Sequence, residues 1–331
     1  MEFAITFKGD MEPKRTLALC QQAEEAGFSH AWFFDSHVLW QECYAIMAYC
    51  MGHTKTLHFG TCVTNPGVRD WTVTASLFAT LSRIGGGRAD MGIGRGDSSR
   101  RVLKRKPMTL KHLTACVDTV RRLAKGETIS FDGADIEFPW AHETIPVWIA
   151  AYGPKALKAA GEVGDGLILQ LADPWLVKWF SEQALAGRSA AGKDKGAYRI
   201  MSAAPVWVSD DLAYGRKQLG WFPAMVGNHV ADLVEKYGGE GSAVPQRLTD
   251  YIEGRKGYDY KHHADKDAEH LSFISDDIID SFGINGPVEA HVEKIKELDK
   301  IGVTQFNIYL MCGEEERIVE AYGKHVIPAF R

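Results

Sequence analysis

The sequence predicts an α/β protein, and within that class a (β/α)8 TIM barrel. Strand-like and helix-like segments alternate eight times along 331 residues. The strand segments are rich in β-branched and aromatic residues and often apolar on both faces, as parallel strands covered on both sides must be. Eight such units need roughly 250 residues, which leaves room for insertions. Alternation alone also fits a doubly wound sheet, the second architecture considered.

The elements follow in order. Residues 2–7 form a short apolar strand, and 13–27 a helix with Pro13 near its start and Gly27 at its end. Strand 31–35 precedes helix 42–52, strand 57–63 precedes helix 73–84, and strand 89–93 precedes helix 110–125. A hairpin over 129–138 turns at Asp132-Gly133, the residue pair such turns favour. Strand 147–151 leads to helix 155–163, and strand 166–171 to helix 175–190. Residues 200–208 read as the seventh strand, 288–301 as a helix, 306–310 as the eighth strand and 314–325 as a closing helix. Residues 212–286 exceed what one βα unit requires. They read as an insertion in a single-domain barrel, rich in aromatic, His and charged residues, that could close over the barrel mouth.

Composition narrows the function. A 45% hydrophobic, 24% charged chain is an ordinary soluble globular composition. A net charge of −5 argues against nucleic acid as a partner. No uncharged apolar stretch approaches the ~18 residues that span a bilayer, and Met1 runs almost directly into the first strand, so a cytoplasmic location is expected. The six cysteines form no CxxC pair and no Cys/His cluster of ligand spacing, so neither a disulfide framework nor a metal site is expected. Most should be small core residues.

In a TIM barrel the chemistry sits at the carboxyl ends of the strands. Asp35-Ser36-His37 is the acid–base candidate there, because His titrates near neutrality and a nearby carboxylate can fix its tautomer. GIGRGDSS (92–99) lacks both the Walker A and the GxGxxG pattern, but its glycines, Gly94 among them, let backbone approach a ligand, and Asp97 can face the pocket. Arg95, Arg100, Arg101, Lys104, Arg105 and Lys106 crowd into twelve residues, a basic patch able to receive an anionic tail. Gly153-Pro154, after Tyr152, opens a helix whose amide groups and dipole suit a phosphate, with Lys155 beside it. Each of these also has a purely structural reading as a cap, a tight turn or a solvated loop.

Three blocks together resemble one family. GTCVTNPGVRDWTVTASLFATLSRIGGGRADMGIGRGDSS, IPVWIAAYGPKALKAAGEVGDGLIL and GPVEAHVEKIKELDKIGVTQFNIYL occur in the order found in the luciferase-like monooxygenase superfamily. The resemblance is nearest to its coenzyme-F420-dependent branch, which includes the methylenetetrahydromethanopterin reductases. It implies the barrel over the doubly wound sheet and a cofactor at the mouth, F420 or alternatively FMN. It implies a cis peptide at Cys62–Val63 behind the cofactor ring, with Cys62, Val63, Thr64 and Asn65 lining the ring. Asp35 and His37 are implied near the reactive edge, Asp97 on the pocket wall, and Tyr152, Gly153 and Pro154 at the cofactor phosphate. Related enzymes commonly have Asp and His adjacent, whereas Ser36 intervenes here, which leaves open which of the two takes the catalytic position.

The expected activity is hydride transfer between F420 and a small organic substrate, with His37 moving the accompanying proton. A two-component FMNH2-dependent monooxygenase, served by a separate cofactor reductase, is the first alternative, and a non-enzymatic flavin-binding subunit the second. Homo-oligomerisation is implied by the resemblance alone. Trp221, Phe222, His229, Tyr258, Tyr260 and His262 are candidates for a substrate pocket.

Overall fold

The structure, a computed structural model, describes residues 1–227, 230 and 274–331. Eight parallel strands close on themselves: Glu2–Phe7, His30–Phe33, His58–Thr61, Ala89–Ile93, Val147–Ala150, Gly166–Leu169, Arg199–Ala204 and Gln305–Tyr309. Each pairs with the next, and the last pairs with the first in the register Glu2↔Gln305 to Thr6↔Tyr309. The second, fourth and sixth strands are buried along their whole length. That burial on both faces explains why their sequences are apolar runs rather than alternations.

Helices cover the outside, and local sequence sets their ends. Pro13 opens Pro13–Ala26, and Gly27 closes it at φ 91°, a conformation an L side chain resists. Asp70, Thr109 and Asp173 cap Trp71–Gly85, Leu110–Ala124 and Pro174–Ala190, accepting the amides of Thr72, His112 and Leu176 at 2.8, 3.2 and 2.8 Å. The hairpin is present as Ile129–Phe131 and Ala134–Ile136, and Asp132 and Gly133 both take positive φ in its turn. All six cysteines are free and buried.

Three expectations are corrected. Residues 200–208 are not one strand. Pro205 breaks the run, since it has no N–H to give a ladder. Val206–Val208 leaves the barrel and pairs in parallel with Ile284–Gly286. The second and third strands end earlier than their apolar runs, because Phe34 to Ser36 and Cys62 to Asn65 belong to the mouth. The closing helix stops at Ala321, widens into a π turn over Tyr322–Val326 and tightens to a 3-10 turn over Ile327–Phe330. Pro328 cannot donate a helical hydrogen bond, which accounts for the change of pitch.

Of the long segment, the described parts are the helix Leu212–Leu219, helical residues 221–227, the helix Asp276–Phe282 and the strand Ile284–Gly286. Arg216 ties the two named helices together by pairing with Asp276 and Asp280. Trp221 and Phe222 are buried. His229, Tyr258, Tyr260 and His262 lie outside the described residues.

The lower half of the barrel is filled by two indoles. Trp32 and Trp148 meet edge to face, 5.6 Å between centroids, and each ring fills the space over a glycine. A Cβ on Gly60 would stand 2.4 Å from the Trp32 ring, and one on Gly166 2.4 Å from the Trp148 ring. Gly166→Ala should therefore destabilise the protein by about 1–3 kcal/mol through overpacking. Equilibrium denaturation measures this, and an unchanged midpoint would show that the indole has room to move.

His291 gives a pH prediction. It is fully buried, with Nε2 3.2 Å from the carbonyls of Trp207 and Gly286 and Nδ1 accepting from the Tyr322 hydroxyl at 2.8 Å. Burial disfavours its charged form and lowers its pKa to about 4. The unfolded chain takes up this proton below the ordinary histidine value near 6.5, while the native state resists until about 4. Stability should thus fall as pH drops through that window, by roughly 3 kcal/mol from this residue. His291→Gln should make the loss between pH 7 and pH 4 shallower than in the parent, as measured by urea denaturation at each pH.

Candidate active site

Parallel closure delivers the strand ends to one rim, and the third strand is reshaped there. Gly60 pairs with Asp90 and Thr64 with Ile93, so the third strand uses four steps where the fourth uses three. The extra residue is a bulge. Within it the Cys62–Val63 peptide is cis, as the resemblance implied. The bulge is pinned on both sides. The Cys62 N–H donates to the Phe33 carbonyl at 2.7 Å, the Thr64 N–H to Gly92 at 2.9 Å, and the Gly94 N–H to Thr64 at 2.9 Å. Gly94 lets the two strands approach, because a Cβ there would lie 3.0 Å from Val63 Cγ2. Val63 itself is only half-buried and faces no ladder partner.

Asp35 braces this bulge. Its carboxylate is buried and accepts from Thr64 Oγ1 at 2.7 Å and from Arg69 Nη1 at 2.6 Å. Arg69 reaches on to Glu42 at 2.8 and 2.9 Å and lies over the Tyr44 ring at 4.6 Å. Although burial opposes its charge, Asp35 and its other partners hold the guanidinium above its ordinary value. Asp35, Glu42 and Cys43 bring potential ligand atoms within 4.8 Å of one another, but the Arg69 cation already pairs with Asp35 Oδ2 and with both Glu42 oxygens. Sequence reasoning missed Arg69 and Tyr44. The available signal was electrostatic: a carboxylate placed at a buried strand end needs a cation, and Arg69 sits in the loop directly after the bulge.

A second network crosses the mouth. The Tyr152 hydroxyl accepts the Gln170 amide at 2.9 Å and donates to Gln170 Oε1 at 3.3 Å. Gln170 Nε2 donates to the Tyr309 hydroxyl at 2.7 Å, and Tyr309 hydrogen-bonds the Cys62 side chain. Burial raises both phenols and pushes the Cys62 thiol up to about 12, so all three keep their protons. Phe34, Trp40 and Phe222 complete the wall, with Phe34 and Phe222 each edge-on to Tyr309 at 5.5 and 5.7 Å.

The remaining candidates spread around the rim. His37 is exposed and Asp35 turns away from it, toward Thr64 and Arg69. Ser36, between them, reaches Ser98 at 2.8 Å. Asn65 is buried, donating to Ser99 at 2.9 Å and accepting the Gly67 amide at 3.0 Å, so it shapes the loop. Asp97 is part-exposed and pairs with Arg101. In the basic patch, Arg95 donates to the Met108 carbonyl at 2.6 Å, and Arg100 to those of Lys106 and Gly67 at 2.7 and 2.8 Å. Lys104, Arg105 and Lys106 are exposed. Gly153 stands at the start of Pro154–Val163 with no side chain capping the helix, and a Cβ on it would meet nothing within 4 Å. Lys155 is exposed beside it. An open helix start of this kind can accept an anion.

Residues 2–305 match the family model described as luciferase-like monooxygenase. The chain is 29% identical to a 5,10-methylenetetrahydromethanopterin reductase of Archaeoglobus fulgidus, over all of both proteins. It is 30% identical to an F420-dependent hydroxymycolic acid dehydrogenase of Mycobacterium tuberculosis, over 62% of each. Among solved structures it superposes on a coenzyme F420 dependent tetrahydromethanopterin reductase from Methanopyrus kandleri with a TM-score of 0.80 and 22% identity, covering 100% of this chain and 99% of that one.

The Asp35 brace yields a direct test. Arg69→Met leaves the buried carboxylate unpaired and should cost about 3 kcal/mol in equilibrium unfolding. Asp35→Asn combined with Arg69→Met should cost less than the sum of the single changes. Additive losses would mean that the pair is not coupled.

Proposed function

The chain belongs to the luciferase-like monooxygenase family, and from that premise we propose that it is an F420-dependent oxidoreductase moving a hydride between that cofactor and a small organic substrate. The observation that carries this reading is the bulge at Cys62–Val63, set against Gly94 in a mouth that also holds an open helix start at Gly153. The donor set fits such a cofactor. Val63, Gly94 and Ala150 offer a flat apolar rest, and the uncapped helix with Lys155 offers an anion site. Cys62, Val63, Thr64, Asn65 and Gly94 would border the ring, and Tyr152, Gly153, Pro154 and Lys155 the phosphate end. Lys104, Arg105 and Lys106 would receive the anionic tail. F420, when bound, supplies or accepts the hydride, and the protein orients and shields.

The chain's own residues divide that labour. Arg69, Asp35 and Thr64 hold the bulge rigid. Tyr152, Gln170 and Tyr309 present neutral hydrogen-bonding groups across the floor. With Asp35 committed to Arg69, His37 is the residue at this rim left to give or take the substrate's proton, and Asp97 borders the same opening. Phe222 packed on Tyr309 supports the described start of the long segment, residues 212–227, as part of the wall of the mouth in a single-domain barrel. No helix among the described residues is long and apolar enough to cross a membrane. A cytoplasmic location and a homo-oligomeric assembly complete the proposal.

The second reading is an FMNH2-dependent monooxygenase with a separate reductase, the activity for which the family model is named. Titration of the purified protein with F420 and with FMN, read by fluorescence quenching, separates the two. Quenching by F420 and not by FMN is expected. FMN binding coupled to oxygen uptake would move the assignment to the second reading. His37→Ala should lower turnover by about 10²–10⁴-fold with F420 affinity unchanged, and unaltered turnover would remove its proton-transfer role.

A further inference from the structure

The opposite, amino-terminal end of the barrel holds a cluster that the mouth does not use. His30, His58 and Asp90 come from the second, third and fourth strands, and one ligand-type atom from each lies within 4.8 Å of the other two. His58 Nδ1 is 3.0 Å from Asp90 Oδ2, and His30 Nε2 is 3.8 Å from the same oxygen. The two imidazoles face each other, 4.8 Å between centroids. His30 is 3% exposed, yet its buried Nε2 has no hydrogen-bond partner. A buried polar atom without a partner is uncommon in a folded protein and asks for an explanation.

The surroundings orient these donors. Ser29 Oγ gives its proton to the Phe3 carbonyl at 3.0 Å and stands 2.8 Å from His30 Nδ1, so it can accept an Nδ1–H and leave a bare lone pair on Nε2. Gln305 Nε2, a donor oriented by Oε1 accepting from Trp32, is 3.0 Å from both Nδ1 and Glu2. It can donate to a bare Nδ1, and a ligand on Nε2 of His30 selects the Nδ1–H form, in which Gln305 donates to Glu2 instead. Asp90 Oδ1 accepts the Trp148 indole N–H at 2.9 Å, which turns Oδ2 toward the two histidines. Arg199 is the nearby cation, and it is already paired with Glu2 and stacked over Trp148 at 4.4 Å.

We propose that His30 Nε2, His58 Nδ1 and Asp90 Oδ2 form a site for a divalent transition metal ion, zinc by its chemistry, which clamps the three strands at the base of the barrel. Two imidazoles and one carboxylate are zinc's usual nitrogen and oxygen donors. Bonds of about 2.0–2.2 Å in tetrahedral geometry set ligand atoms roughly 3.3–3.6 Å apart. The two distances from Asp90 Oδ2, 3.0 and 3.8 Å, bracket that spacing, and the two imidazole nitrogens lie within 4.8 Å of each other. The ion takes the place of the proton that His58 Nδ1 shares with Asp90. The His58 side chain is 38% exposed, so solvent can reach the site and supply a fourth ligand. Ser29 and Trp148 act as the outer hydrogen-bonding shell that such ligands require. At this face of a TIM barrel, residues serve stability rather than catalysis.

The test uses the full-length protein, stripped with a chelator and titrated with Zn²⁺ by calorimetry and with Co²⁺ by visible absorption. One equivalent should bind, cobalt should show the intense bands of four-coordinate geometry, and zinc should raise the thermal midpoint. His58→Ala, at the exposed ligand, should keep the native circular dichroism spectrum and F420 binding. It should weaken zinc at least about tenfold, the lower end of what losing even a supporting hydrogen bond costs. Asp90→Asn should do the same, and because that residue is buried its folding is checked in parallel. Absence of saturable one-to-one binding would overturn the proposal, leaving a hydrogen-bonded polar plug. So would zinc binding of equal strength in the parent and in His58→Ala, which would place the ion elsewhere in the chain.

Discussion

Closure of the parallel barrel is the constraint on which everything else here depends. Pairing of the first strand with the last, from Glu2↔Gln305 to Thr6↔Tyr309, joins segments three hundred residues apart. Only that pairing sets Tyr309 beside Cys62, Gln170 and Phe34. Because every strand runs in the same direction, closure also sorts the chain chemically. Residues just after a strand go to the mouth, and residues at its start go to the base.

The two ends are built to different physical rules. At the mouth, backbone irregularity is concentrated in the third strand, and the brace from Asp35 through Thr64 and Arg69 holds it in one position. At the base, the indoles of Trp32 and Trp148 fill the lumen, and their N–H groups go to Gln305 and Asp90. The large rings fill the lumen between the two ends, while Val63, Tyr152 and Gly153 stay half-buried at the mouth and His58 reaches solvent at the base. One barrel thus separates a packed interior from two differently built rims without any change in strand topology.

Much of this was legible in the sequence, for identifiable reasons. Runs apolar on both faces and Pro/Gly punctuation give parallel strands and helix limits directly, as at Ala89–Ile93 and Pro13–Ala26. The reading failed where a local pattern was overridden by distant partners. Residues 200–208 are strand-like on both sides of Pro205, but the pairing of Val206–Val208 with Ile284–Gly286 depends on a segment about eighty residues away. The role of Gly60 and Gly166 as seats for indoles is invisible locally, because neither glycine is near its tryptophan in sequence. Arg69 belongs to the same class. Its importance arises from a carboxylate thirty-four positions earlier, and charge alone does not announce that partner. The clustering of His30, His58 and Asp90 is likewise a product of strand register rather than of spacing.

The protonation pattern of the mouth agrees with a site that holds a cofactor rather than one that reacts by itself. A site that performs covalent catalysis lowers the pKa of its nucleophile or sets a base against it. Here the opposite holds. The Cys62 thiol is raised by burial and tied to a neutral phenol, and the phenols of Tyr152 and Tyr309 are raised as well. Asp35, the buried carboxylate of the mouth, is bound to a guanidinium. These groups hold position and shape but offer little reactivity of their own. On the proposed reading, proton exchange falls to the exposed rim, where His37 stands, and hydride transfer to the cofactor that the mouth would hold. GTCVTNPG is then a scaffold segment. Its cysteine contributes backbone geometry, and its threonine transmits the rigidity of the Asp35 brace to the surface against which a cofactor would rest.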